Sequence, residues 1–407
     1  MIDPRDYGID NLPFGIVSHA RDDRPRPAVA FASSVIDLDA LARDGTLDVE
    51  SLRGAESLNA FLAEGHAAWR AVRARLTDLL GPAATADERA AVAKATLPRD
   101  RVAMHLPIAV GDYVDFYSSL EHATNVGRIM RPDAEPLLPN YRHVPIGYHG
   151  RSGTVVVSGT DVRRPHGQRK APDAAAPVFG PSTMLDVELE MGWIAGAAST
   201  HGTPVSANAV AEHVFGYVLL NDWSARDIQA WEYQPLGPFL AKSFATSISP
   251  WIVTLDALEP FRVDEPHRTP EPLPYLRAGR PWAYDVELEL LLQSAQMRER
   301  GMPPAPISRT NLRGMYWTVA QQLAHATSNG ASIRAGDLFG TGTISGAAPE
   351  SAGSLLELTH RGATPLTLPS GEQRAFLEDG DTIVIRGRAV NDHTRIGFGE
   401  VVGTIVA

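Results

Sequence analysis

Leu185-Asp186-Val187-Glu188-Leu189-Glu190-Met191 alternates apolar and acidic residues without a break. Period two predicts a half-buried strand, with Leu185, Val187, Leu189 and Met191 on one face and Asp186, Glu188 and Glu190 on the other. Same-face neighbours on a strand stand about 6.6–7 Å apart, close enough for two Glu side chains to converge on one ion. Aligned like charges repel unless water screens them or a cation lies between them. Taken alone, the seven residues fit a plainer alternative, an edge strand with a solvated acidic face. The rest of the chain decides between the two.

A length of 407 residues allows two domains, or one large and one small. With 44% apolar and 21% charged residues the composition is that of an ordinary globular protein. A net charge of −11 argues against nucleic acid or an anionic membrane as partner. An anionic substrate would then need a local positive site or a metal. Cysteine is absent, which excludes disulfides, thiolate ligands and a Cys nucleophile together. No apolar run approaches a membrane span, and the start, Met1-Ile2-Asp3-Pro4-Arg5, is no signal peptide, so a cytoplasmic location is expected.

Residues 14–17 and 28–31 read as strands joined by the charged turn Arg21-Asp22-Asp23-Arg24-Pro25. Residues 56–81 read as helix, because Leu58, Phe61, Leu62, Trp69, Val72, Leu76 and Leu80 fall on one stripe. Residues 83–95 read as an exposed, Ala-rich helix. Nothing in the first hundred residues groups His, Asp and Glu as chemistry would need, so this part is structural or oligomeric. Near Pro107 the character changes to short strands with Gly/Pro punctuation, giving domains over 1–107 and 108–407. Strands are expected at 154–157, 185–191, 214–220, 284–292, 354–358 and 382–386. One amphipathic helix is expected at 310–327, capped by Thr310 or Asn311 and ended by Asn329-Gly330. The pattern fits a β-rich α+β roll and not a parallel doubly wound sheet. Residues 171–177 and 260–274 read as loops, the second too long for mere connection.

Three further stretches are polar where a core strand or plain loop has little reason to be. Residues 112–125 supply Asp115, Tyr117 and His122. Asn221-Asp222-Trp223-Ser224-Ala225-Arg226 places a carboxylate where an apolar run ends, either at a site or as the N-cap of a helix starting at Trp223. Lys242 stands in the otherwise small and apolar run 240–246, so it either snorkels to solvent or is held by acids. Asp115, Glu188, Glu190 and Asp222 are all hard oxygen donors without the Cys or His-x-x-x-His spacing that attracts zinc, so together they would select Mg²⁺, Ca²⁺ or Mn²⁺. Four carboxylates around one divalent ion leave about two surplus negative charges, which gives Lys242 and Arg226 a reason to sit nearby. A Gly-x-Ser-x-Gly elbow and a Walker A motif are absent, and Gly340-Thr341-Gly342 lacks the setting of a dinucleotide loop.

From about residue 111 to 403 the chain resembles the fumarylacetoacetase (fumarylacetoacetate hydrolase) family. The strings that carry this are Asp115-Phe116-Tyr117-Ser118-Ser119, His122-Ala123-Thr124-Asn125-Val126-Gly127, Gly147-Tyr148-His149-Gly150-Arg151, residues 185–191 and 221–229, Pro235-Leu236-Gly237-Pro238-Phe239 and Gly342-Thr343-Ile344-Ser345-Gly346. The resemblance implies an N-terminal SH3-like β-barrel, a C-terminal mixed β-roll and a homodimer. It implies a Mg²⁺ or Ca²⁺ ion on Asp115, Glu188, Glu190 and Asp222, and a second cation site near Lys242 and Thr246. His122 would be the general base, oriented by Glu357. Arg226, Gln229 and Lys242 would form the oxyanion pocket, and Tyr117, Arg131, Tyr148, Gln229, Tyr233 and Thr343 would hold a small diketo-acid. Ala245 stands where the family pattern has Gly, which bears on the second cation site. The implied reaction is hydrolysis of a β-diketone C–C bond. An acylpyruvate hydrolase or an oxaloacetate-type decarboxylase of the same superfamily would keep the acids without needing His122, Glu357 or Arg131, and a metal-stabilised scaffold would need no turnover at all.

Overall fold

The computed structural model describes residues 3–20 and 22–407. Met1, Ile2 and Arg21 lie outside the described residues, and with them the reading of the extreme start and of Arg21 in the turn. The first strand, Phe14–His19, pairs with Asp22–Phe31, and His19 already faces Asp22. Asp22 to Pro25 therefore belong to the strand, and the expected charged turn is shorter than its composition implied. A five-stranded antiparallel sheet results, in the order Thr96–Pro98, Ser34–Asp37, Asp22–Phe31, Phe14–His19, Val102–His105. The helical stretch is two helices, Asn59–Ala63 and His66–Leu80, broken where Gly65 takes φ 86°. The break re-phases the stripe, so Leu79 is buried and Leu80 only half-buried. The exposed helix Ala86–Ala95 starts on a capping box between Thr85 and Glu88.

An eight-stranded mixed sheet organises the rest. Its path runs Gly147–His149, Tyr113–Phe116, Leu338–Gly340, Leu189–Ala195, Val214–Asp222, Thr246–Ile248, Val155–Val157, and the eighth strand, Val253–Thr254, pairs with Val214–Asp222 off this path. The pairs Tyr113–Phe116 with Leu338–Gly340 and Thr246–Ile248 with Val155–Val157 are parallel, and the remainder antiparallel. Leu185, Val187, Leu189 and Met191 share one buried cluster on one face, as their period predicts. Ile194, Val218, Leu220, Ile248, Leu338 and Tyr113 point to the other face and join the N-terminal residues in a second cluster. Phe215 is the hinge of that contact, with ring centroids 5.4 Å from Phe14, 6.0 Å from Phe61 and 5.3 Å from Trp69. A five-stranded sheet, ordered Ala305–Asn311, Glu287–Gln293, Thr382–Val390, Arg395–Val406, Val162–Arg163, completes the strand-rich α+β architecture. Among the described residues no helix is long and apolar enough to cross a membrane.

Several local expectations are corrected. The acidic strand is interrupted: Leu185–Asp186 and Leu189–Ala195 are strand, but Val187 and Glu188 are not, and Glu188 bridges only to Ser354. Residues 354–358 form a helical turn, Leu355–Leu358, because Ser354 caps it by accepting from the Glu357 amide. The 310–327 helix is only Val319–Thr327, started by a Thr318–Gln321 capping box; Thr310 and Asn311 end a strand. The 284–292 strand is split into Ala283–Tyr284 and Glu287–Gln293. Finally, the 214–220 strand continues through Asp222, so Asp222 is no N-cap; the following helix is Arg226–Glu232.

The Leu120–Met130 helix, which follows Asp115 by a short turn, is seated by a glycine. A Cβ on Gly127 would overlap the Pro136 carbonyl oxygen. Gly→Ala inside a helix ordinarily gains up to about 1 kcal/mol. Here we expect Gly127→Ala to lose about 1–3 kcal/mol by overpacking, read as a lower denaturation midpoint. An equal or higher midpoint would show that the 131–146 segment yields freely.

Candidate active site

Four strands that carry an apolar residue toward the N-terminal part carry a polar one further along the same face, where that cover ends. Tyr113 gives way to Asp115, Leu220 to Asp222 and Ile248 to Thr246, while Ile194 is followed across Gly192 by Glu190. Alternation keeps these pairs on one face. The four acids Asp115, Glu188, Glu190 and Asp222 are all buried, and one oxygen from each lies within 4.8 Å of the others. Asp115 and Glu190 sit on the two strands flanking Leu338–Gly340 and approach each other over Gly340. A Cβ there would stand 2.6 Å from Asp115 Oδ1 and 3.0 Å from Glu190 Oε2. Glu190 Oε2 also accepts from the Gly342 amide at 3.0 Å, and Gly342 holds φ 77° against the Phe116 backbone.

Two buried cations brace this group. Lys242 Nζ donates to Glu188 Oε2 and, at 2.8 Å, to Asp222 Oδ2. Arg226 lies 2.7 Å from Glu188 Oε1 and donates from Nε to Asp186 Oδ2 at 2.8 Å. Asp186 also accepts from the Leu355 and Leu356 amides, which ties Arg226 to the start of the Leu355–Leu358 turn. The Tyr148 hydroxyl lies 3.0 Å from both Asp115 Oδ2 and Asp222 Oδ2, and the Thr246 hydroxyl donates to Asp222 Oδ1 at 3.2 Å.

The electrostatics show where charge is missing. Burial pushes the Asp115 and Glu190 carboxyls well above the usual range, and their acidic neighbours push the same way. Asp222 is also raised, by burial, despite Lys242. For Glu188 burial opposes ionisation, but Lys242 and Arg226 outweigh it and hold the carboxyl below its ordinary value. Asp115 Oδ1 and Glu190 Oε1 are buried with no hydrogen-bond partner. Two carboxylates that converge over a glycine and each keep one orphaned oxygen, an all-oxygen donor set and a deficit of positive charge together fit a hard divalent cation.

His122 lies in the first turn of its helix, with its amide bonded to the Ser119 cap. Its Nδ1 is 2.7 Å from Glu357 Oε2. Glu357 further accepts from Asn125, Ser345 and Ser354 at 3.0, 3.0 and 2.8 Å. Burial opposes its ionisation, yet the His122 contact and these donors hold it below the usual carboxylate range. An ionised Glu357 can only accept, so Nδ1 carries the hydrogen, and in the neutral imidazole Nε2 is the nitrogen left with a lone pair.

A cavity of about 420 Å³ joins the two groups. Asp115, Glu188, Glu190, His122, Arg226 and Lys242 line it, as do Tyr117, Arg131, Tyr148, Gln229, Tyr233 and Thr343. Glu357 stands behind His122. Asp222 and Thr246 face a smaller adjoining cavity of about 130 Å³, shared with Tyr148 and Lys242. Gln229 Oε1 accepts from Arg226 at 3.1 Å, which leaves its amide nitrogen as the available donor. Arg131 donates to the Pro136 carbonyl at 2.7 Å, and its Nε has no partner. Ala245, where Gly was expected, has no positive φ, so the backbone there accepts any L-residue.

Sequence reading missed Asp186, although the alternation displayed it, because on its face it reads as one more ligand and not as the anchor of Arg226. It also missed Gly340 and Gly342, whose use depends on strands distant in the chain. Arg361 was missed as well. It lines the cavity from the turn after Leu358, where His360, Arg361 and Gly362 all take left-handed φ of 47°, 58° and 87°. For the two non-glycine residues such a backbone costs about 1–2 kcal/mol each.

Two family models cover nearly the whole chain: one described as fumarylacetoacetate (FAA) hydrolase C-terminal over residues 113–406, and one described as fumarylacetoacetase N-terminal over residues 10–107. Among curated relatives, the fumarylacetoacetases of Rattus norvegicus and of Arabidopsis thaliana are each 45% identical, over 98% of this chain and 96% of their own. Among solved structures, a fumarylacetoacetate hydrolase from Exiguobacterium antarcticum shares the fold, with a TM-score of 0.55 at 18% identity over 97% of this chain and 99% of that one.

Cation binding is measurable without turnover. An ion at a thousandfold its dissociation constant adds about 4 kcal/mol, so Mg²⁺ or Ca²⁺ should raise the melting temperature of chelator-stripped protein by about 5 °C. Gly340→Ala, which fills the space between Asp115 and Glu190, should abolish that increment. Identical melting of wild-type protein with and without the ions would refute a cation site here.

Proposed function

The chain belongs to the fumarylacetoacetase family, and from that premise we propose the part each side chain plays in its reaction. The protein is a hydrolase of carbon–carbon bonds and splits fumarylacetoacetate into fumarate and acetoacetate, the closing step of tyrosine and phenylalanine breakdown. The observation that carries our assignment is the His122–Glu357 contact facing the acid cluster across one cavity.

In this assignment Glu357 keeps the hydrogen of His122 on Nδ1, so Nε2 takes a proton from water as the water oxygen attacks the carbonyl beside the fumaryl double bond. Arg226, Gln229 and Lys242 meet the oxyanion that forms; losing one such donor typically raises a barrier by about 3–4 kcal/mol. Collapse of the tetrahedral adduct breaks the C–C bond, its electron pair passing to the acetoacetate carbon as an enolate. The proton held on His122 Nε2 is then in place to neutralise that carbon. Held by Asp115, Glu188, Glu190 and Asp222, a Mg²⁺ or Ca²⁺ ion would polarise the diketone oxygens and stabilise enolate charge. Tyr117, Arg131, Tyr148, Tyr233 and Thr343 orient the substrate. Lys242 and Thr246 border the second cation site.

A decarboxylase-type relative need not keep a histidine braced by a buried carboxylate, and the presence of that pair supports water activation. We further read the protein as a cytoplasmic homodimer working on a small dianion, with no nucleic-acid or membrane partner, in keeping with the net charge of −11.

His122→Ala should lower kcat by roughly 10²–10⁴-fold, followed as loss of diketone absorbance, while the cation-dependent gain in melting temperature stays intact. Glu357→Gln should fall in the same range, because the imidazole loses the carboxylate that fixes its tautomer. Undiminished turnover in His122→Ala would remove it as the base.

A further inference from the structure

Fumarylacetoacetate carries a carboxylate at each end, so its pocket must offer cations that are not already spent. Arg226 and Lys242 are committed elsewhere: both are buried against Asp186, Glu188 and Asp222, and both are assigned above to the oxyanion. Two other guanidinium groups line the same cavity, Arg131 and Arg361. Among the described residues neither has an acidic partner. Arg131 bonds only a backbone carbonyl, and the exposed Arg361 side chain makes no hydrogen bond within the chain.

These two arginines share a wall. On the Leu120–Met130 helix, His122, Val126 and Met130 follow one another at four-residue spacing along the cavity, and Arg131 caps the helix. Arg131 lies nine residues beyond His122, about 13 Å along the axis. The Leu355–Leu358 turn packs against that helix; it carries Glu357 to His122 and Leu356 to the cavity, and Arg361 follows three residues later. Both chains thus lead from the His122–Glu357 pair to an arginine.

The backbone at Arg361 is held by design of its surroundings. Its amide bonds the Leu356 carbonyl at 2.8 Å, the His360 amide bonds Glu357 at 3.1 Å and the Gly362 amide bonds Thr359 Oγ1 at 3.0 Å. Helix ends of this kind ordinarily use glycine at the left-handed position, where a side chain is unwelcome. Retaining arginine at φ 58° gives up backbone ease and gains a cation at the cavity.

We propose that Arg361 is a substrate-binding and specificity-determining residue: with Arg131 it grips one terminal carboxylate of the substrate at the end of the cavity away from the acid cluster. This deepens the assignment above and rests on it. Paired guanidinium groups bind a carboxylate by charge-assisted hydrogen bonds, and the loss of one raises KM more than it lowers kcat, because the bond is present before and during reaction alike.

The test uses fumarylacetoacetate and its two monomethyl esters, one blocked at each end, with the Mg²⁺-loaded enzyme and its Arg361→Gly, Arg361→Lys and Arg131→Gln variants. Glycine suits φ 58°, so Arg361→Gly should melt no lower than wild type. On the diacid its kcat/KM should fall roughly ten- to hundredfold, mainly through KM, with Arg361→Lys recovering part of the loss. The loss should vanish on one monoester and persist on the other, and the Arg131→Gln loss should vanish on the same one. Unchanged kcat/KM on the diacid, an equal loss on both esters, or losses that vanish on different esters would each overturn the clamp. Flat Arg361 results beside His122-dependent turnover sink the clamp alone; absence of turnover by the wild type sinks the reaction assignment and the clamp with it.

Discussion

Four carboxylates driven together at the open end of one sheet face are the constraint to which the rest of the structure answers. Hydrogen bonds among the described residues leave them incomplete: Asp115 Oδ1 and Glu190 Oε1 stay unpartnered, and burial keeps both carboxyls far above their ordinary range. An uncompensated buried charge is among the costliest things a fold can contain. The site is therefore assembled at the expense of stability, and its charge is of the sign that a cation from outside the chain could complete.

The sheet makes that assembly possible by running out of cover. The N-terminal sheet and helices shield one face of the eight-stranded sheet as far as Tyr113, Ile194, Leu220 and Leu338, and the same face continues to Asp115, to Glu190 beyond Gly192, to Asp222 and to Gly340. This gives the N-terminal part a chemical consequence although none of its described residues lines the cavity. By packing on the apolar end through Phe215, it fixes the strands whose other end holds the acids.

How much of this was legible depended on whether the signal was local. The alternation over residues 185–191 placed the apolar set correctly, and the four acids it helped to gather do converge. The break at Val187 and Glu188 was not legible, because it comes from a backbone bridge to Ser354, far along the chain. The same distant contact explains why residues 354–358 misled. Their apolar composition reads as strand, whereas the Ser354 cap makes a turn that delivers Glu357 to His122. Asp186 shows the limit from the other side: chemistry and period were right for a ligand, and only the position of Arg226 makes it an anchor. Gly340 carried no signal at all, since a missing side chain acquires meaning only when two neighbouring strands each bring an acid to it.

Charge balance links the cation site to substrate choice. Five carboxylates, those of Asp115, Asp186, Glu188, Glu190 and Asp222, face two fixed cations, Arg226 and Lys242. A divalent ion would cut the surplus to about one negative charge but would not reverse it. A dianion entering such a pocket meets no net attraction at the reacting centre, so whatever draws it in must lie toward the cavity's periphery. Among the described residues that line the cavity, the guanidiniums without an acidic partner are those of Arg131 and Arg361. Separating the charges in this way would have a kinetic merit: arginines on the cavity wall that hold one terminal carboxylate would not compete for the oxyanion and enolate, whose stabilisation in the transition state sets the rate.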